Sequence, residues 1–168
     1  KGALLPHRAL MRGALNGVYA PGKQLAHHRY ACVLPLSHVF GLIRSTLSVL
    51  HQGGEWFSAG NTKETIGKLP VIRPTCIVAV PGICEILLGL VKMYGKPFLG
   101  GQLGYIISGA TNVPPKLIAE FDELGISLFG GYGMTEGAHL NTGNIYGKTP
   151  TPSVGKLYPE KEAKVVDG

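Results

Sequence analysis

Residues 74–95 read PTCIVAVPGICEILLGLVKMYG, and their two halves ask for different backbone geometry. The run Cys76 to Val80 is continuously apolar and β-prone, without the polar alternation of a strand that faces water. A strand covered on both faces, the kind found in parallel sheets, has this character. Pro81 then stands where a helix would begin; a proline costs little in a first turn because its missing N–H would have no partner there. A helix through Tyr94 to the Gly95 stop completes a strand-to-helix unit.

The unit recurs on both sides. Downstream, LGYIISG, PPKLIAEFDELG and ISLFGG read as strand, helix and strand. Upstream, HRALMRGALNGVYA reads as a helix ended by the Pro21-Gly22 turn, RYACVLPL as a strand and VFGLIRSTLSVLHQ as a helix. GGEWFSAG is a short strand, and NTKETIGKLPVIR a helix with a polar cap. Alternation of this kind predicts an α/β fold: a mostly parallel sheet with helices on both faces, plus a short C-terminal β segment. The helical signal vanishes from about Asn141, leaving a turn-rich stretch and a final strand expected near residues 163–167. Residues 1–145 are thus expected to form one α/β subdomain, and residues 146–168 a linker and the start of a following β subdomain, the whole being a partial domain of a larger architecture.

Composition narrows the function classes. At 168 residues with 45% hydrophobic content, the chain can bury one substantial core. Its formal net charge of +6 comes from basic residues scattered singly. No clustered basic stripe marks a nucleic-acid surface, so no nucleic-acid partner is expected. The three cysteines, Cys32, Cys76 and Cys84, lie in apolar surroundings and read as buried reduced thiols. No apolar run reaches the ~18 residues of a membrane span and no signal peptide is visible, which makes the cytoplasm the expected location. The chain opens without methionine and stops at a turn signal, as a piece of something longer would.

Open parallel sheets bind ligands beyond the carboxyl ends of their strands, where loops converge. Two glycine-bearing loops occupy such positions. After YIIS, Gly109-Ala110-Thr111-Asn112 offers small residues that let a flat ligand approach the backbone. In LFGGYGMTEGAHL, Gly130-Gly131 ends a strand and Tyr132, followed by Gly133, offers a ring face. Thr135 can donate to a phosphate oxygen, and Glu136 supplies a hard oxygen of the type magnesium prefers. In LPLSHVFGL, His38 stands at the mouth of a helix, where it could bond a substrate or gate an apolar cavity. Each also has a plainer reading: both loops as ordinary turns, Tyr132 as packing, Glu136 as a solvated carboxylate and His38 as a satisfied structural histidine. His7, His27, His28, His51 and His139 lack ligand spacing and receive no role. Ser37 and Ser108 are present without a Gly-x-Ser-x-Gly elbow, which speaks against serine hydrolysis.

Taken in order, these stretches resemble the adenylate-forming superfamily, the AMP-dependent synthetases and ligases, and most of all a fatty acyl-CoA synthetase. KGALLPHRAL is similar to the stretch after that family's phosphate loop, and LPLSHVFGL to its aromatic/histidine motif. YIISGATNVPPKLIAEF resembles its adenine-contacting loop and helix. GGYGMTE is similar to its Tyr-Gly-x-Thr-Glu signature, and SVGKLYPEKEAKVVD to the segment beyond it. The resemblance implies activation of a carboxylic acid, here expected to be fatty, by ATP with Mg2+, and transfer of the acyl group to coenzyme A. By motif position it implies that Gly109 and Ala110 line the adenine, Tyr132 stacks on it and Thr135 contacts the α-phosphate, with Gly133 in the same nucleotide-binding stretch. Glu136 would hold the metal, Gly130 and Gly131 would border the acyl carboxylate, and His38 would stand at the acyl pocket's wall. Thr135, Glu136 and His38 are therefore the implied catalytic residues. Loading of a carrier protein, or nucleotide binding without catalysis, are the alternative roles. Ser37, Pro6, Ser108 and Gly104 depart from the family's usual residues. The phosphate loop, ribose-binding aspartate, hinge and mobile-domain lysine are expected in the remaining parts of the parent enzyme, so the isolated fragment is expected to be inactive.

Overall fold

The computed structural model describes residues 2–17, 28–143 and 153–166. The Pro21-Gly22 turn and the stretch 144–152 lie outside the described residues. Helix α1 spans His7–Asn16; β1 is Arg29–Cys32, and β2 is Glu55–Phe57. Between them a π-helical segment, Phe40–Leu47, runs into α2, Ser48–His51. Then follow α3 Thr62–Gly67, α4 Leu69–Ile72, β3 Cys76–Ala79, α5 Pro81–Tyr94, β4 Tyr105–Ser108, α6 Pro115–Glu123, β5 Ser127–Met134, β6 His139–Gly143 and β7 Lys156–Leu157.

One seven-stranded sheet runs in the order β2-β1-β3-β4-β5-β6-β7. The first five are parallel neighbours, with β1 beside β2 and β3, and β4 between β3 and β5. Every residue of β3 and β4 is buried, the two-faced burial their unbroken apolar runs imply. Side chains alternate between two cores. Ala31, Ile77, Ile106 and Leu128 face Leu69 of α4, Leu87 of α5 and Phe121 of α6. Tyr30, Cys76, Val78, Tyr105 and Ile107 face Phe40 and Val49 on the other side. Helix α1 packs on α2 and the π-helical segment, adding a further layer there.

Four boundaries differ from the sequence reading. The strand in RYACVLPL stops at Cys32, ahead of Pro35, which has no N–H for a ladder. The single helix expected in NTKETIGKLPVIR is two short ones broken at Lys68, with Pro70 in the first turn of α4. Gly130-Gly131 does not end a strand: β5 continues through Tyr132 to Met134 and pairs there antiparallel with β6. Glycines permit the register shift found between Tyr132 and Gly133, so one strand serves a parallel neighbour with its first half and an antiparallel one with its second. Finally, residues 163–166 form no strand; Val165 is 92% exposed, and its β propensity counts only against a partner. The strand of this region is instead β7, beside β6, followed by the buried Tyr158.

Candidate functional site

The corner after β1, the loop after β4 and the second half of β5 meet at one end of the sheet. The corner is shaped by Pro35, whose carbonyl accepts from the His38 N–H at 3.2 Å. Gly41 follows, so close to the Pro35 carbonyl that a Cβ would collide with it. His38 Nδ1 accepts from the Phe40 N–H at 3.1 Å and so steadies the first turn of the π-helical segment. With Nδ1 occupied as an acceptor, the neutral ring carries its proton on Nε2.

These elements border an open cavity of about 170 Å³ lined by residues that include His38, Phe40, Ser108, Gly109, Thr135 and His139. Ala110, Gly131, Gly133 and Met134 complete much of its rim. The β4 loop reaches in because Gly109 has no side chain: a Cβ there would stand 3.2 Å from the Gly131 carbonyl and 3.6 Å from the Phe40 ring. Ala110 holds φ at 70°, a left-handed conformation unusual for a residue with a Cβ. Ser108, 1% exposed, accepts from the Cys84 thiol at 3.9 Å, and no histidine bonds it among the described residues.

Six of the residues singled out in the sequence therefore line one space: His38, Gly109, Ala110, Gly131, Gly133 and Thr135. Gly130, Tyr132 and Glu136 are not in its wall. Alternation along β5 sends Gly131 and Gly133 one way and Gly130 and Tyr132 the other. Tyr132 is 49% exposed, its N–H donating to Thr142 Oγ1 at 3.3 Å, which leaves the ring face accessible. Glu136 lies exposed in the short 3-10 segment Thr135–Gly137. Among the described residues no group of three or more His, Cys, Asp or Glu side chains forms a metal cage. A lone exposed carboxylate fits an ion that keeps its waters and takes its other ligands from phosphates, as magnesium does; it does not fit an all-protein site.

His139 is the residue that sequence reasoning passed over. It lines the cavity, is 5% exposed, and stacks on Phe40 with ring centroids 4.9 Å apart. Its φ is 89°, and Nε2 has no hydrogen-bond partner among the described residues. Burial first, then the charges of Arg44, His38 and Lys161, hold its pKa well below the usual 6.5, so the ring is neutral. Metal-ligand spacing was the wrong test for it. The available signal was its place just beyond Thr135-Glu136, at the start of a strand.

A strand-end cavity between two glycine-bearing segments stands where open, mostly parallel α/β sheets bind their ligands. The chain belongs to the AMP-binding enzyme family, whose model matches residues 1–168. It is 27% identical over 172 residues to a long-chain-fatty-acid–CoA ligase of Yersinia pestis, covering 99% of this chain and 31% of the relative. It is 31% identical over 186 residues to 4-coumarate–CoA ligase 2 of Oryza sativa subsp. japonica, again covering 99% of this chain and 31% of the relative. Among solved structures, R195K E. coli MenE with bound OSB-AMS superposes with a TM-score of 0.79 at 25% identity, over 99% of this chain and 34% of that one. Apo MatB from Rhodopseudomonas palustris gives 0.79 at 26% identity, over 95% and 31%. The chain thus spans about a third of the length of the proteins it matches.

Proposed function

We propose that this chain is the part of an AMP-forming acid–CoA ligase that carries the acyl cavity and one wall of the nucleotide site. The parent would join a carboxylic acid to ATP, forming the acyl adenylate and pyrophosphate, and pass the acyl group to coenzyme A. The observation that carries this reading is the convergence of His38, Gly109, Ala110, Gly131, Gly133 and Thr135 on one strand-end cavity. Family membership and the names of the relatives support it.

The residues divide the work by position. Gly109 and Ala110 present bare backbone on which a flat adenine can lie, and Tyr132 offers its exposed ring to the same base. Thr135, at the end of β5, is within the cavity wall and supplies a hydroxyl to a phosphate oxygen at the point where the acid enters. Glu136 would hold Mg2+, which when bound supplies charge neutralisation to the phosphates. His38 donates from Nε2 toward the acid, and Gly131 and Gly133 leave the space its carboxylate needs. Alignment of two anions is the main task, because each repels the other until it is neutralised and held.

The part of the cavity bounded by this chain measures about 170 Å³. A fatty acid, suggested by sequence resemblance and by the Yersinia relative's name, would have to extend into space bounded by the rest of the parent. In the full-length parent, Glu136→Gln should lower acid-dependent exchange of pyrophosphate into ATP by roughly tenfold or more, the scale of a weakened metal site. Exchange at the wild-type rate would sink the assignment of Glu136. Exchange without thioester formation on free coenzyme A would move the acceptor to a carrier protein.

A further inference from the structure

The segment Thr135–Gly137 carries the two residues assigned above to phosphate and metal, yet its own backbone holds it weakly. It is closed by the Ala138 N–H on the Thr135 carbonyl at 3.1 Å, a 3-10 bond of poorer geometry than an α-helical one. Two residues in left-handed backbone follow, Ala138 at φ 51° and His139 at φ 89°. Such a turn keeps its shape only where its surroundings impose it.

Lys161 supplies that hold from outside. Its Nζ donates to the Gly137 carbonyl at 3.0 Å, the one side-chain hydrogen bond made to the segment among the described residues. A cationic donor makes this a stronger bond than a neutral pair would give, and Lys161 is half-buried. The lysine is itself aimed by a tight turn, Tyr158-Pro159-Glu160-Lys161, closed by the Lys161 N–H on the Tyr158 carbonyl at 3.1 Å. Pro159 suits the second position of such a turn, and Glu160 takes φ 63° at the third, where glycine is ordinarily favoured. Tyr158 anchors the turn: it is buried, and its N–H donates to the Asn141 carbonyl at 3.1 Å. The Asn141 side chain in turn packs on Gly137, 2.6 Å from where a Cβ would stand. Contacts therefore run from Gly137 through Asn141, Tyr158 and Lys161 back to Gly137, a closed ring none of whose members lines the cavity.

We propose that Lys161 is a positioning residue for adenylation, fixing the turn from which the Thr135 hydroxyl and the Glu136 carboxylate reach the nucleotide and its metal. This rests on the adenylation reading above and adds a residue outside the cavity wall to it. Gly137 adjoins Glu136, and the same three-residue segment begins at Thr135 in the wall. A misplacement of about 1 Å can cost on the order of 100-fold in rate, so one bond at the end of this turn is felt in kcat.

The test is kinetic, in the full-length parent, with acid-dependent exchange of pyrophosphate into ATP measured against Mg2+ and acid concentration. Lys161→Met keeps the stem and removes the donor. It should lower kcat about tenfold and raise the Mg2+ concentration for half-maximal rate several-fold, with KM for the acid within about twofold of wild type. Lys161→Arg restores a cationic donor and should recover most of the rate. Because the effect passes through the turn, adding Lys161→Met to Glu136→Gln should cost no more than about a further twofold. Lys161→Gln, shorter and uncharged, should show the same Mg2+ shift and replaces Lys161→Met if that variant does not fold. Wild-type kcat and Mg2+ dependence in the folded variant would overturn the proposal. So would full additivity with Glu136→Gln, or a loss that Lys161→Arg does not restore, since a lysine of purely structural value gives those results. No exchange with any carboxylic acid in the wild type would sink the adenylation reading and the proposal with it.

Discussion

Backbone angles that few residues tolerate mark the site at the residue scale. Ala110 at φ 70° and His139 at φ 89° stand at two edges of the same cavity, held by the packing around them. Replacing Ala110 by a β-branched residue should expose the strain: Ala110→Val is expected to lose about 1–3 kcal/mol in denaturant unfolding. Ala110→Gly should stay within about 1 kcal/mol of wild type, relief of strain offsetting added chain entropy. His139 also couples the fold to pH. Its folded pKa lies below the unfolded value of about 6.5, so the unfolded chain binds the extra proton. Stability from this group is whole above that value and declines as pH falls below it. Unfolding midpoints of the full-length protein followed from about pH 7.5 to about 5.5 should fall more steeply in wild type than in His139→Asn. Little of this was legible beforehand, because a histidine's neighbours and φ are set by the hairpin that carries it and not by its neighbours in sequence.

The elements were easier to read than their edges. Asn61 was legible as a polar cap, and its side chain accepts from the Glu64 N–H at 2.9 Å while its amide donates to the Glu64 carboxylate at 2.7 Å. Asn61→Ala should cost about 1 kcal/mol, measurable as a shift in chemical-denaturation midpoint. The helix after His38 was expected from its period, but its widening into π geometry was not. Thr46 Oγ1 donates to the Gly41 carbonyl and Ser48 Oγ to the Ile43 carbonyl, both at 3.0 Å and both five residues back. Such turns recur at functional sites, and here one carries Phe40, part of the cavity wall. Helix α1 approaches the β6 hairpin through Gly13, where a Cβ would stand 2.5 Å from the Ala138 carbonyl. Gly13→Ala should cost about 1–3 kcal/mol through overpacking, despite alanine's better helix propensity, and a melting curve showing stabilisation would contradict that packing.

Across the whole molecule, the parallel sheet insulates its thiols. Cys32, Cys76 and Cys84 are all free and buried, and burial pushes the Cys84 thiol up to about 11. None should react with a water-soluble disulfide reagent in the folded full-length protein, and labelling should begin only with unfolding; prompt reaction of any of the three would show that the sheet opens locally. The Arg12–Glu160 pair, with side chains 43% and 62% exposed, joins α1 to the segment after β7. Solvent-exposed pairs contribute little, so attachment of that segment rests more on the buried Tyr158.

By itself the sequence determined the α/β class, the chain of strand-to-helix units and the segments that could carry a nucleotide, because apolar runs, prolines and glycines act through local geometry. Tertiary structure alone decided that β5 turns from parallel to antiparallel pairing within GGYGM, and that His38, Gly109 and Thr135 share one cavity with His139. It also decided that Arg44 is fully buried, with no hydrogen-bond partner for its side-chain nitrogens among the described residues. Pairing, cavity walls and electrostatic neighbours join residues far apart along the chain, and no local pattern encodes those distances.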